Sequence, residues 1–185
     1  MARIPYVDPK SASPEVREAL AAFPPLNIFR TVAHAESAFL PFMRFGAAVL
    51  TQGELDDVLR ELAILRVASL TGAEYEWVQH AAIAETVGAR AEQVAAIERG
   101  EIEADCLDDT ERLVLRFATE IVEDHGASEA TVTAAKEHLS TREIVELTLA
   151  AGWYQALACL MNTVAIDLDP AAGADVLESA RRRAT

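Results

Sequence analysis

Three side chains in the middle of the chain have the types and spacing for proton chemistry: Glu61, Glu76 and His80. Glu76 and His80 are four residues apart in Glu74-Tyr-Glu-Trp-Val-Gln-His80. A helix therefore puts them on one face, with Trp77 along the same stripe and Tyr75 nearby. A histidine beside a carboxylate has a strengthened charged form and exchanges protons near neutral pH. The plain alternative is an exposed Glu–His pair at a helix start. Glu61 lies in Glu61-Leu-Ala-Ile-Leu-Arg-Val-Ala-Ser-Leu70, apolar on nearly every side, which is the pattern of a mostly buried helix. A carboxylate there pairs with a cation or is driven toward its neutral form. A structural ion pair with Arg60 or Arg66 is one reading of Glu61, and a tuned acid or base is the other.

Glu76 and His80 also have helical ligand spacing, and Glu61 would be a third ligand. The set lacks the two-His or Cys-rich core of most zinc sites, so no metal is expected. His34, His125 and His138 fall near predicted helix ends and form no cluster. His125, before Gly126, reads as a favourable charge at a helix C-terminus. No Gly-x-Gly-x-x-Gly, P-loop or Gly-x-Ser-x-Gly occurs, so nucleotide binding and serine hydrolysis have no support.

The elements that must position these residues read as helices throughout, because no stretch sustains period-2 alternation with β-branched enrichment. Five prolines in the first 25 residues describe an irregular arm over 1–34. It carries one short helix, with Ser13 as N-cap and Pro14 at its first position, running from Glu15 to Phe23. A helical domain follows over 35–185. Its first helix, about Ala35 to Leu50, buries Phe39, Phe42, Met43, Phe45 and Val49, and Pro41 kinks it or falls in its first turn. Thr51-Gln-Gly-Glu54 has the form of a capping box, and the helix after it runs to Leu70 with Gly72 as its stop. Further helices span 74–87 and 91–99, stopped by Gly88 and Gly100. Asp108-Asp-Thr-Glu111 opens a helix to His125, Ser128 caps a short one, and Ser140-Thr-Arg-Glu143 caps a long one that runs as far as Asp167. A last helix lies near 174–183.

Leu147 to Ile166 is free of charge over 20 residues, about the length that spans a bilayer. Its polar residues and acidic flanks fit a buried central helix better, so no membrane partner is expected. An echo links Glu61 and His80 to Glu143 and Asn162, each pair 19 residues apart. The second copy reads as core, and duplication and coincidence both stay open.

The chain has 185 residues, 51% of them hydrophobic, with 30 acids against 16 bases and a formal charge of −14. That balance belongs to a folded globular protein and argues against a nucleic-acid partner, which needs clustered Lys and Arg. The one basic cluster, Arg181, Arg182 and Arg183, reads as a short solvated tail. Cys106 and Cys159 are isolated thiols and form no disulfide scaffold, so a reducing cytoplasm is the default location.

The segment Glu61 to His80 closely resembles the central motif of the carboxymuconolactone decarboxylase family, in the superfamily that also holds alkylhydroperoxidase D. The resemblance covers about Phe39 to Glu123. It implies an all-α bundle of the alkylhydroperoxidase D-like fold and a homo-oligomer. The peroxidase branch carries a Glu, a Cys-x-x-Cys pair, then a His. Glu61 and His80 match the Glu and the His, while Ala73 and Glu76 stand at the two thiol positions. Peroxide reduction by that route needs an attacking and a resolving thiol, which this motif lacks. The decarboxylase branch, a lyase class needing no bound cofactor, is the better chemical match. The resemblance implies a small organic acid or lactone as substrate and His80 as proton donor or relay. Glu61 would orient His80, Glu76 would complete the catalytic set, and Tyr75 and Trp77 would line the pocket. Two carboxylates repel an anionic substrate, so either Glu61 is protonated or Arg44 and Arg66 compensate.

Overall fold

The computed structural model describes the backbone of residues 1–184 and the side chains of 1–182. The side chain of Arg183 lies outside the described residues. Ten helices and no strand occur among the described residues. They are α1 (Pro14–Ala21), α2 (Asn27–Val32), α3 (Glu36–Thr51), α4 (Asp57–Thr71), α5 (Glu74–Val87), α6 (Ala91–Glu98), α7 (Asp109–Glu123), α8 (Glu129–His138), α9 (Thr141–Val164) and α10 (Gly173–Ala184).

The helix apolar on every side becomes the centre of the bundle. In α4, Leu62, Ala63, Ile64, Leu65 and Val67 are completely buried, and α5, α6, α7 and α9 pack around it. Each of its large aliphatic side chains contributes about 1.5–3 kcal/mol by leaving water. The chain then reverses at Gly72, whose φ of 63° is the left-handed conformation that ends α4. That reversal lays α5 against α4.

Side-chain caps open α4, α7, α8 and α9. Asp108 and Glu111 form the expected box at α7, and Ser140 and Glu143 form the one at α9. Ser128 accepts from the Thr131 amide at α8. Three expectations are corrected. Thr51 still belongs to α3, its hydroxyl donating to the Ala47 carbonyl, so it caps nothing. The cap of α4 is Asp56, which accepts from the Val58 and Leu59 amides. Ser13 makes no side-chain cap at α1, and α7 stops at Glu123, with His125 rather than Gly126 at positive φ. Pro41 sits inside α3, well past the first turn.

The long helix α9 is not buried all round. Leu147, Ala150, Ala151, Tyr154, Ala158, Met161 and Val164 face the core, while Val145 and Leu149 are 52% and 47% exposed. It is the one described helix long and apolar enough to cross a membrane by length and composition. Nor is the echo of Glu61 and His80 core. Glu143 caps α9, and exposed Asn162 donates to the Thr71 carbonyl.

Both chain ends pack onto this frame. The 1–34 segment adds α2, which the sequence reading did not anticipate, and a core of its own. There Val16, Phe23, Phe29 and Val32 meet Phe39, Met43, Tyr75 and Met161. The C-terminal arginines are no tail: α10 docks against α3 and α5, burying Leu177 and Ala180. Arg181 pairs with Asp57 at 3.2 Å and Arg182 with Glu178 at 2.7 Å. Docking depends on Gly173, because a Cβ there would sit 2.1 Å from the Gln79 carbonyl oxygen. Gly173→Ala should therefore lift α10 and cost about 1–3 kcal/mol, read as a lower Tm in a thermal melt. An unchanged Tm would mean that α10 is not seated so closely.

Candidate active site

The α4–α5 reversal brings Glu61 and His80 together. His80 Nδ1 lies 2.7 Å from Glu61 Oε2, and the second carboxylate oxygen accepts from Arg60 Nε at 3.1 Å. Glu61 is fully buried, and Arg60 and His80 are nearly so. Glu61 thus bridges the Arg60 guanidinium and the His80 ring, accepting a hydrogen bond from Nδ1–H when the ring carries its proton there. In the neutral imidazole this leaves Nε2 as the basic nitrogen. The Tyr154 ring meets the imidazole edge-on, 4.5 Å between centroids at 78°, and fixes its plane.

His80 lines a cavity of about 100 Å³, bounded by α3, α5, α9, α10 and the 1–34 segment. Its walls are largely apolar: Phe29, Phe42, Met43, Trp153, Leu157 and Val176 are typical. Two of its polar groups are engaged elsewhere. The Tyr75 hydroxyl donates to Asp169 at 2.6 Å, and Gln79 bonds the Pro170 carbonyl and the Ala172 amide. Burial, with help from Asp169, pushes the Tyr75 phenol up. Burial first, then Glu61 and Glu76, likewise raises the Tyr154 phenol.

Glu76 is the exception. It lines the cavity, it is 2% exposed, and neither of its carboxyl oxygens has a partner. Burial, and secondly the charge of Glu61, push its pKa well above the ordinary carboxylate range. Two carboxyl groups on adjacent helices thus have opposite surroundings: Glu61 is held between Arg60 and His80, while Glu76 has no partner and its burial favours the neutral form.

The remaining sequence candidates are elsewhere. Trp77 follows Glu76 by one residue, about 100° round the helix, and packs with Leu62, Leu65 and Leu107 instead of joining the cavity. Arg44 is exposed on α3 and does not line the cavity. Arg66 donates to the Thr119 hydroxyl at 2.9 Å, toward α7. Neither arginine compensates charge at the cavity, whose lining contains no Lys or Arg. Cys106 Sγ donates to the Glu92 carbonyl, and Cys159 is exposed on α9. Neither thiol lines the cavity. Among the described residues no three His, Cys, Asp or Glu side chains gather so as to hold a metal ion. The sequence reading missed Tyr154, Trp153 and the walls from 23–29 and 173–180, all brought in by tertiary packing.

The all-helical bundle has the alkylhydroperoxidase D-like fold. Residues 37–120 match the sequence model of the carboxymuconolactone decarboxylase family. The fold is similar to that of an alkylhydroperoxidase D core protein from Ralstonia eutropha JMP134, described as an uncharacterized peroxidase-related protein. The TM-score is 0.78 at 18% identity, over 97% of this chain and 96% of that one. It is also similar to an uncharacterized peroxidase-related protein from Silicibacter sp. TM1040, with a TM-score of 0.70 at 17% identity, over 77% and 76%. At these identities the likeness concerns the fold. Comparison with curated protein sequences gives no match.

The state of Glu76 can be read from stability. A raised folded-state pKa means that the native chain holds a proton the unfolded chain has already released. Stability from this group is full at acid pH and is lost as pH rises from the ordinary carboxylate value through the raised one. Glu76→Gln removes this loss, so it should gain on the wild type by about 1.4 kcal/mol per pH unit across that window. Chemical denaturation at several pH values measures the gap, and a gap independent of pH contradicts a neutral Glu76.

Proposed function

We propose that the chain is a cofactor-free proton-transfer enzyme of the carboxymuconolactone decarboxylase type, acting on a small lactone or related carbonyl compound. The observation that carries this reading is the unpartnered acid of Glu76 in the same apolar cavity as the Glu61-oriented imidazole. An unsaturated lactone placed there would lose a carbon-bound proton to His80 Nε2. The electron pair moves through the double bond onto the carbonyl oxygen, where Glu76 donates a hydrogen bond. His80 then returns the proton to another carbon, and the double bond has shifted. Decarboxylation would use the same groups: the C–CO2 bond breaks, its electrons pass to the ring carbonyl, and protonated His80 delivers its proton to carbon.

Size and charge narrow the substrate. An apolar cavity of roughly 150 Å³ holds benzene, so about 100 Å³ suits a ring of about that size or smaller. A free carboxylate would find no cation on the walls and the charge of Glu61 behind His80, so a neutral lactone fits better than the organic acid.

The test is an assay of lactone isomerisation and CO2 release against a panel of small lactones and their carboxylated forms. His80→Ala should lower turnover by about 10²–10⁴-fold. Glu76→Gln keeps an N–H donor, so it should retain more activity than Glu76→Leu. It should also abolish the loss of rate seen at high pH when the wild-type acid ionises. Full activity in His80→Ala overturns the mechanism. Faster turnover of the carboxylated form overturns the substrate class and leaves the residue roles standing.

Thiol peroxidase activity, the competing expectation in this superfamily, would have to use Cys106 or Cys159. It predicts peroxide consumption that the double Cys→Ser variant loses. A third reading is a helical oligomer without catalysis. Self-association is part of our proposal too, and light scattering should give a multiple of the chain mass. Inactivity across the whole panel, with the mass of an oligomer, would favour the third reading.

A further inference from the structure

One polar group on the wall of the His80 cavity has no use in the resting protein. Tyr154 reaches the cavity from α9 and is 4% exposed. Its ring stands edge-on to the imidazole, with 4.5 Å between centroids. Its hydroxyl makes no hydrogen bond to any described residue. Nor is the oxygen walled in, and the surface it keeps belongs to the cavity that Tyr154 lines. A buried hydroxyl left unpaired costs stability, and phenylalanine would pack the same ring without that cost. The hydroxyl therefore serves something that the resting protein lacks.

The neighbouring groups narrow what it serves. Tyr75 and Gln79 are engaged with Asp169, Pro170 and Ala172. The Trp153 indole is wedged between Phe42 and Phe45, with Nε1 against Gly46 on α3. His80 spends Nδ1 on Glu61 and keeps Nε2 for the cavity. A ligand beside Nε2 is also beside Tyr154, because the two rings touch. Burial, then Glu61 and Glu76, raise the pKa of the phenol, so it holds its proton and acts as a donor. Such a donor suits an acceptor oxygen on a small ring. A carbonyl oxygen has two lone pairs, and the reaction proposed above gives only one of them to Glu76.

We propose that Tyr154 is a further catalytic residue of this site, its hydroxyl donating to the carbonyl oxygen of a small lactone bound beside His80 Nε2. When His80 takes the carbon-bound proton, the electron pair moves through the double bond onto that oxygen. The Tyr154 hydrogen bond strengthens as the oxygen gains charge, and the phenol keeps its proton throughout. The catalytic role rests on the proton-transfer reading. The hydrogen bond to a bound carbonyl does not.

Tyr154→Phe keeps the ring and removes only the oxygen. Its Tm should equal or exceed that of the wild type, since no resting hydrogen bond is lost. A lower Tm makes the hydroxyl structural and overturns the proposal. The probe is γ-butyrolactone, isotope-labelled at its carbonyl carbon. It has no ring double bond to shift, so it reports binding alone. Bound to the wild type, its infrared C=O band should lie at lower frequency than in Tyr154→Phe, and Trp153→Phe should keep the wild-type position. On a lactone that is turned over, Tyr154→Phe should lower kcat about 10²-fold with little change in KM. The hydrogen bond is overturned by equal band positions in wild type and Tyr154→Phe, by lack of saturable binding, or by a shift lost in Trp153→Phe instead. An unchanged kcat beside an intact band shift overturns the catalytic role alone. Inactivity of the wild type on every lactone overturns the proton-transfer reading and the catalytic role with it, while the band shift still decides the hydrogen bond.

Discussion

The constraint on which the rest depends is the burial of the Glu61 carboxylate. It has no solvent contact, and it is held between Arg60 and His80. Removing one partner of a buried pair leaves an uncompensated charge and costs about 3–5 kcal/mol. That penalty ties three separate features together. The start of α4 must present Arg60 and Glu61 side by side, which Asp56 secures by capping just before them. The Gly72 reversal must return α5 at the register that meets Glu61 with His80. Asp57 must hold the outer edge of Arg60, and it does so while also pairing with Arg181 of α10. The C-terminal helix that walls the cavity is thus tied to the same ionic chain as the imidazole inside it.

Glu61 and Glu76 show how one scaffold can carry different chemistry. Glu61 is paired because a guanidinium and an imidazole reach it. Glu76 is pushed toward the neutral acid because nothing reaches it. The apolar walls matter as much as the polar groups, since low polarity both keeps Glu76 protonated and strengthens any hydrogen bond it donates.

Much of this was legible in the sequence, and the failures have physical causes. Helix existence was readable because apolar periodicity, Asp108 and Ser140 caps and Gly stops agree with one another. Glu61 stood out because no exposed face was available to it. The cap at Thr51 was misread because the Thr-x-x-Glu pattern also fits the end of a preceding helix. There Thr51 bonds back to Ala47. Trp77 was placed with Glu76 and His80 by spacing alone, but one residue on a helix is a quarter turn. Arg44 and Arg66 were chosen for their charge, and charge does not encode direction. The cavity walls from 23–29 and α10 were illegible, because they come from chain ends that meet the motif only through long-range packing. The outer face of α9 shows the converse: an apolar composition does not say which side is covered.

The central claim is that Glu76 stands as a neutral acid beside an imidazole whose Nδ1 is held by Glu61. The most direct measurement is the infrared difference spectrum between the wild type and Glu76→Gln at neutral pH. The predicted result is a protonated carboxyl C=O band in the wild type that is absent from the variant and shifts in D2O. A difference spectrum containing only carboxylate bands would contradict it, because a charged Glu76 could donate no hydrogen bond to a carbonyl in that cavity.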